Sequence, residues 1–102
     1  MLEIRPNCEF CDKDLPPAST EARICSYECT FCSDCVENLI QNACPNCGGG
    51  FVSRPIRPST ERRAGTGLAH QPASTNRVHS SYSREEISQF VSTVRDISPE
   101  RR

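Results

Sequence analysis

Cys25-Ser26-Tyr27-Glu28-Cys29-Thr30-Phe31-Cys32-Ser33-Asp34-Cys35 places four cysteines in eleven residues. Cys8 and Cys11 precede this stretch and Cys44 and Cys47 follow it, so all eight cysteines lie in the first half of the chain. The chain has 102 residues, of which 35% are apolar and none is Trp, so burial of hydrophobic surface alone is a weak source of stability. A covalent or metal staple is therefore expected, and the spacing of the cysteines has to say which.

The start, Met1-Leu2-Glu3-Ile4-Arg5-Pro6, lacks the basic and apolar regions of a secretory signal. No run approaches the ~18 apolar residues of a membrane span. A cytoplasmic, reducing setting without membrane contact is the expectation, and stable disulfides are rare there. Charge is unevenly spread. Residues 1–58 carry eight acidic and five basic side chains, a net of −3, and thiolates bound to two divalent ions would deepen that by four. Such a surface repels a phosphate backbone, which disfavours nucleic acid as the partner of this half. The remainder has seven Arg against five acids, too dilute for a basic arm.

Cys8-Glu9-Phe10-Cys11 is a two-residue spacing that lets a tight turn present both sulfurs to one ion. The same spacing serves redox enzymes, but Pro16 and Pro17 follow too soon for the helix those enzymes need. Phe10 either caps the small core or lies on a partner-binding loop. Residues 15–22 read as an irregular loop. Arg23-Ile24-Cys25 and Cys29-Thr30-Phe31-Cys32 read as the arms of a hairpin, with Ile24, Tyr27 and Phe31 on its buried face.

A helix is expected to grow from Cys32-Ser33-Asp34-Cys35. Asp34 and Glu37 have the spacing of a capping box, and Val36, Leu39 and Ile40 recur at i, i+3 and i+4. Cys44-Pro45-Asn46-Cys47 is the last pair, followed by Gly48-Gly49-Gly50, which lacks the Lys and helix of a phosphate loop. Phe51 to Arg54 reads as a closing strand. Knuckle, hairpin and ligand-bearing helix together give the fold class: a small zinc-stabilised α+β domain of treble-clef type over 1–58.

Three two-residue pairs plus Cys25/Cys29 make two sets of four thiolates, a soft tetrahedral donor set suited to two structural Zn²⁺ ions. Iron in the same sites and a disulfide framework are the competing readings. A closed set of four ligands has no position for activated water, so no catalytic residue is assigned and the chain reads as a non-enzyme.

This pattern resembles the RING finger family, whose four ligand pairs interleave. The resemblance implies a cross-braced arrangement in which Cys8, Cys11, Cys32 and Cys35 bind one zinc and Cys25, Cys29, Cys44 and Cys47 bind the other. Cys29 departs from the commonest pattern by standing where a histidine usually does, and His70 and His79 lie far away in the tail. From Arg5-Pro6-Asn7-Cys8 through Leu15-Pro16-Pro17 to Cys44-Pro45-Asn46-Cys47-Gly48-Gly49, the chain also resembles a bacterial family of short cysteine-rich proteins labelled domain of unknown function 1272.

Ligase-type RING fingers hold a charged ubiquitin-conjugating enzyme in a groove. By resemblance that groove implies Phe10, Leu39 or Ile40, and Pro45 here. Gly48 stands where that family often has a basic or donor residue, and the bacterial group generally lacks ubiquitin. A structural zinc domain used as a scaffold for protein contacts is thus the leading function, with a ubiquitin ligase and a nucleic-acid-binding or transcription-associated zinc ribbon as alternatives.

Past Pro58 the composition turns to Ser, Thr, Ala, Gly, Arg and Pro. Residues 59–82 read as a disordered linker, because so few apolar groups cannot offset the entropy of ordering them. Residues 83–98 then read as an amphipathic helical segment. Ser83 and Glu86 have capping-box spacing, and Ile87, Phe90, Val91 and Val94 share one face. Three fates are open to that face: folding back on the zinc core, self-association or docking on an unidentified protein partner, and an isolated frayed helix.

Overall fold

Residues 1–102 are described by a computed structural model of the chain. The fold begins at the first cysteine pair. Asn7 and Asp14 form an antiparallel bridge, Cys8 N–H donates to Lys13 O at 2.9 Å, and Asp12 N–H donates to Cys8 O at 3.0 Å. This hairpin-like knuckle turns Cys8 and Cys11 toward the same side.

Strand β1 (Ala22–Ile24) pairs antiparallel with β2 (Thr30–Cys32), with Ala22 opposite Cys32 and Ile24 opposite Thr30. Strand β3 (Val52–Ser53) adds to the other edge of β1, giving the order β2-β1-β3. Three strands share the burden that a lone hairpin carries poorly in water. Phe31 is fully buried and meets Phe51 edge to face, with ring centroids 5.7 Å apart. Tyr27 corrects the expected buried face. It lies in the turn between β1 and β2 and is 74% exposed, because side-chain alternation stops where the strand does.

The central helix starts directly from β2. Helix α1 (Ser33–Cys35) runs without a break into a π-helical turn (Val36–Ile40) that ends where Gln41 and Asn42 take positive φ of 52° and 59°. The expected capping box at Asp34 and Glu37 is not formed. Cys32 occupies the N-cap position without a side-chain bond, and Asp34 already lies within the first turn. Cys32 and Cys35 must both face one site, which draws the helix start forward by two residues. Val36, Leu39 and Ile40 are buried as their spacing predicts.

The second half does not leave this core. Residues 59–82, read above as a disordered linker, contain no helix or strand, but backbone hydrogen bonds hold part of them along the first knuckle: Ser74 N–H to Ile4 O at 2.9 Å and Ser80 N–H to Glu9 O at 2.7 Å. Helix α2 (Arg84–Val94) opens with the expected capping box, in which Ser83 Oγ accepts from Glu86 N–H and Glu86 Oε1 accepts from Ser83 N–H. It ends at Val94, short of the predicted 98, and a 3-10 turn (Pro99–Arg101) follows. Ile87 and Val91 are buried in one cluster with Phe31, Leu39, Ile40 and Cys44. Of the three fates open to this face, the structure shows folding back on the core.

Candidate metal centres

The sulfurs of Cys8, Cys11, Cys32 and Cys35 all lie within 4.8 Å of one another, and so do those of Cys25, Cys44 and Cys47. Cys29 touches Cys25 and Cys44 but stands outside the second mutual group. The first group joins the first knuckle to the start of α1. The second joins the end of β1 to the last knuckle. The chain therefore crosses between groups within Cys25–Cys35, and neither group can form unless residues far apart in sequence have met.

The donor sets fit a tetrahedral metal ion. Sulfurs at ~2.3 Å from one ion stand ~3.8 Å apart along a tetrahedron edge. Cys11 Sγ and Cys32 Sγ are 3.7 Å apart, as are Cys25 Sγ and Cys47 Sγ. Backbone amides reinforce the arrangement: Tyr27 N–H points to Cys25 Sγ and Gly49 N–H to Cys47 Sγ, each at 3.4 Å. Gly48 has φ of 80°, the left-handed turn through which the last knuckle brings those amides round its sulfurs.

The thiols of both groups perturb one another's ionisation. The hydrogen bond from Cys44, then those from Asn46 and Cys25, outweigh burial and hold the Cys29 thiol down at about 5. The same bond to Cys29, together with burial, pushes Cys44 up. Cys25 is pushed up to about 11, chiefly by burial, and burial also raises Cys32 and Cys35. Burial acts in the same direction on Cys11 but yields to the Lys13 amide and neighbouring thiols, which lower it. Thiols this close share few negative charges, and a divalent cation would supply the countercharge that lets each act as a thiolate.

Three polar residues that carry no periodic signal hold the sites together. Glu9, between the first two cysteines, is buried; its carboxylate accepts from Thr30 N–H at 2.6 Å and from Arg5 Nη1 at 2.9 Å, and burial outweighs these bonds to raise its pKa. Asn7 is fully buried and exchanges hydrogen bonds with the backbone of Val78, donating to O at 2.9 Å and accepting from N–H at 3.2 Å. Arg54 is buried without a carboxylate partner. Its guanidinium donates to Arg5 O, Leu15 O and Pro16 O at 2.8, 3.1 and 2.9 Å, and burial lowers its pKa. The position of Glu9 inside a knuckle was the one available hint; Asn7 and Arg54 gave none.

The expected partner-binding residues fall largely inside the molecule. Leu39, Ile40, Pro45, Ile87 and Val91 are buried, and Phe10 and Val94 pack partly buried against the core. Arg84 lies over the Phe10 ring at 5.1 Å, and only Phe90 of the set stays substantially open, at 39%. A cavity of about 690 Å³ remains between the last knuckle and α2, lined by Pro45, Cys47, Tyr82, Glu86, Ile87 and Phe90 among others. No helix is long and apolar enough to cross a membrane.

The sequence profile of DUF1272, described as a protein of unknown function, matches residues 1–57. An uncharacterized protein of Rhizobium meliloti (strain 1021) is 54% identical over 78 residues, which cover 76% of this chain and 86% of that protein. Because 78 aligned residues exceed the 57 of the family match, at least 21 of them lie beyond residue 57. No solved structure matches the chain.

Proposed function

The chain belongs to the DUF1272 family, and from that membership and the geometry above we propose that it is a structural zinc-binding domain of RING-like, treble-clef type that serves as a scaffold for protein contacts. The observation that carries this reading is the interleaving of two cysteine groups whose nearest sulfurs lie 3.7 Å apart. Cys29, a neighbour of Cys25 and Cys44, would be the fourth ligand of the second site. Four thiolates saturate a tetrahedral zinc ion, so the metal stabilises the fold and activates no water.

The contact surface of such a scaffold lies where apolar side chains stay open. Tyr27 in the β1–β2 turn and Val52 on the edge strand β3 are 74% and 67% exposed. The groove implied by ligase-type resemblance offers little of this, because Leu39 and Ile40 are buried under the chain's own α2.

Native mass spectrometry of the untagged protein, with and without a strong chelator, tests the metal reading. Two zinc ions per chain are expected, lost together with the circular dichroism of the folded state. A chain that stays folded after losing both ions, or one whose eight cysteines form disulfides, would overturn the reading.

A further inference from the structure

We propose that residues 74–102 act as a strap that governs metal exchange, so that opening of the strap limits how fast bound metal leaves. This rests on the two-metal reading above and adds a role for the half of the chain that carries no cysteine. The strap's contacts concentrate on two knuckles that belong to different metal groups. On the first, Val78 pairs with Asn7, Ser80 with Glu9, and Arg77 with Asp12 and Asp14, both at 2.9 Å. His79 Nε2 lies 3.0 Å from the same Asp12 carboxylate, and Arg84 covers Phe10. On the last, the Phe90 ring lies against Gly48, where an added Cβ would be 3.6 Å from Cζ. Arg102 Nη1 donates to Asn42 O and Gly48 O at 2.6 and 3.0 Å.

These are the knuckles whose sulfurs are most open to a competing ligand. Cys11 and Cys47 are the exposed cysteines, one in each metal group and one in each knuckle that the strap contacts. A metal held by thiolates leaves when an incoming donor replaces one sulfur at a time, which requires the knuckle bearing that sulfur to splay. Backbone and side-chain bonds from the strap resist that motion without touching the metal. Residues 59–66, between the core and the strap, are exposed throughout.

The test follows metal transfer from the zinc-loaded full chain to a chromophoric chelator, with native mass spectra recording the two-, one- and zero-metal species. Two variants carry it, Arg77→Ala for the first knuckle and Phe90→Ala for the last. Arg77→Ala should speed departure of one ion and Phe90→Ala of the other, each by about threefold. Hydrogen exchange of residues 74–95 reports whether the strap has opened. Faster exchange there with unchanged metal-transfer rates would overturn the proposal.

A second measurement avoids any folding defect. A protease site placed within residues 59–66 and cut after folding and metal loading leaves the strap held only by its contacts. Metal loss should then slow as a synthetic peptide of residues 71–102 is added. Independence from a peptide that demonstrably exchanges with the strap would sink the idea. A parent chain that carries no metal fails the two-metal reading instead, a different result from two bound ions whose release ignores the strap.

Discussion

The cysteine-bearing part, residues 1–57, and the strap that follows it are held by different physics. The first supplies fourteen of the sixteen buried apolar side chains and every sulfur. The second supplies Ile87 and Val91 to the core and otherwise grips through hydrogen bonds and ion pairs at the surface. Removing a structural metal costs a domain on the order of 10 kcal/mol, whereas a half-exposed ion pair is worth about 1 kcal/mol or less. With metal bound as proposed, the first part is expected to unfold as a unit and the second to open before it.

Arg54→Met is the strongest way to break that contrast from the protein side. It leaves three inward carbonyls without their shared donor and should lower the stability of the metal-loaded chain by about 3 kcal/mol, read from chemical denaturation. Loss confined to the strap would contradict the placement of Arg54 in the first part. Ile87→Ala should cost about 2 kcal/mol, but locally: amide exchange in α2 rises while that of Cys25–Cys35 keeps its parent protection. A matching rise in both regions would show that the two parts open together. Ser83→Ala sharpens the comparison at its finest grain. Losing the cap should cost about 1 kcal/mol in α2 and leave metal content unchanged by native mass spectrometry.

What could be read in advance divides along the same line. The spacing within Cys8–Cys11, Cys32–Cys35 and Cys44–Cys47 is local geometry, and the knuckles it predicts are present. The capping box at Ser83 and the stripe at Ile87 and Val91 were legible for the same reason: each repeats over three or four residues. Asp34 shows the limit. Its local pattern favoured a cap, but the demand that Cys32 and Cys35 share a site moved the helix start and placed it inside the first turn. Tyr27 shows another limit, since alternation along a strand says nothing about the residue at its turn. Composition suggested a disordered linker over residues 59–82; their path along the first knuckle depends on Asn7, Glu9 and Asp12, which lie about seventy residues earlier and leave no mark on local composition.

The sequence by itself determined that this protein is built around cysteine pairs suited to metal, and that an amphipathic, self-capped helix follows them. Short-range spacing encodes such features because backbone geometry repeats every few residues. Only the tertiary structure decided which sulfurs meet, that Arg54 is buried among carbonyls, and that α2 lies on the core instead of standing free. Those contacts join residues roughly twenty to seventy positions apart, and no periodicity along the chain records them.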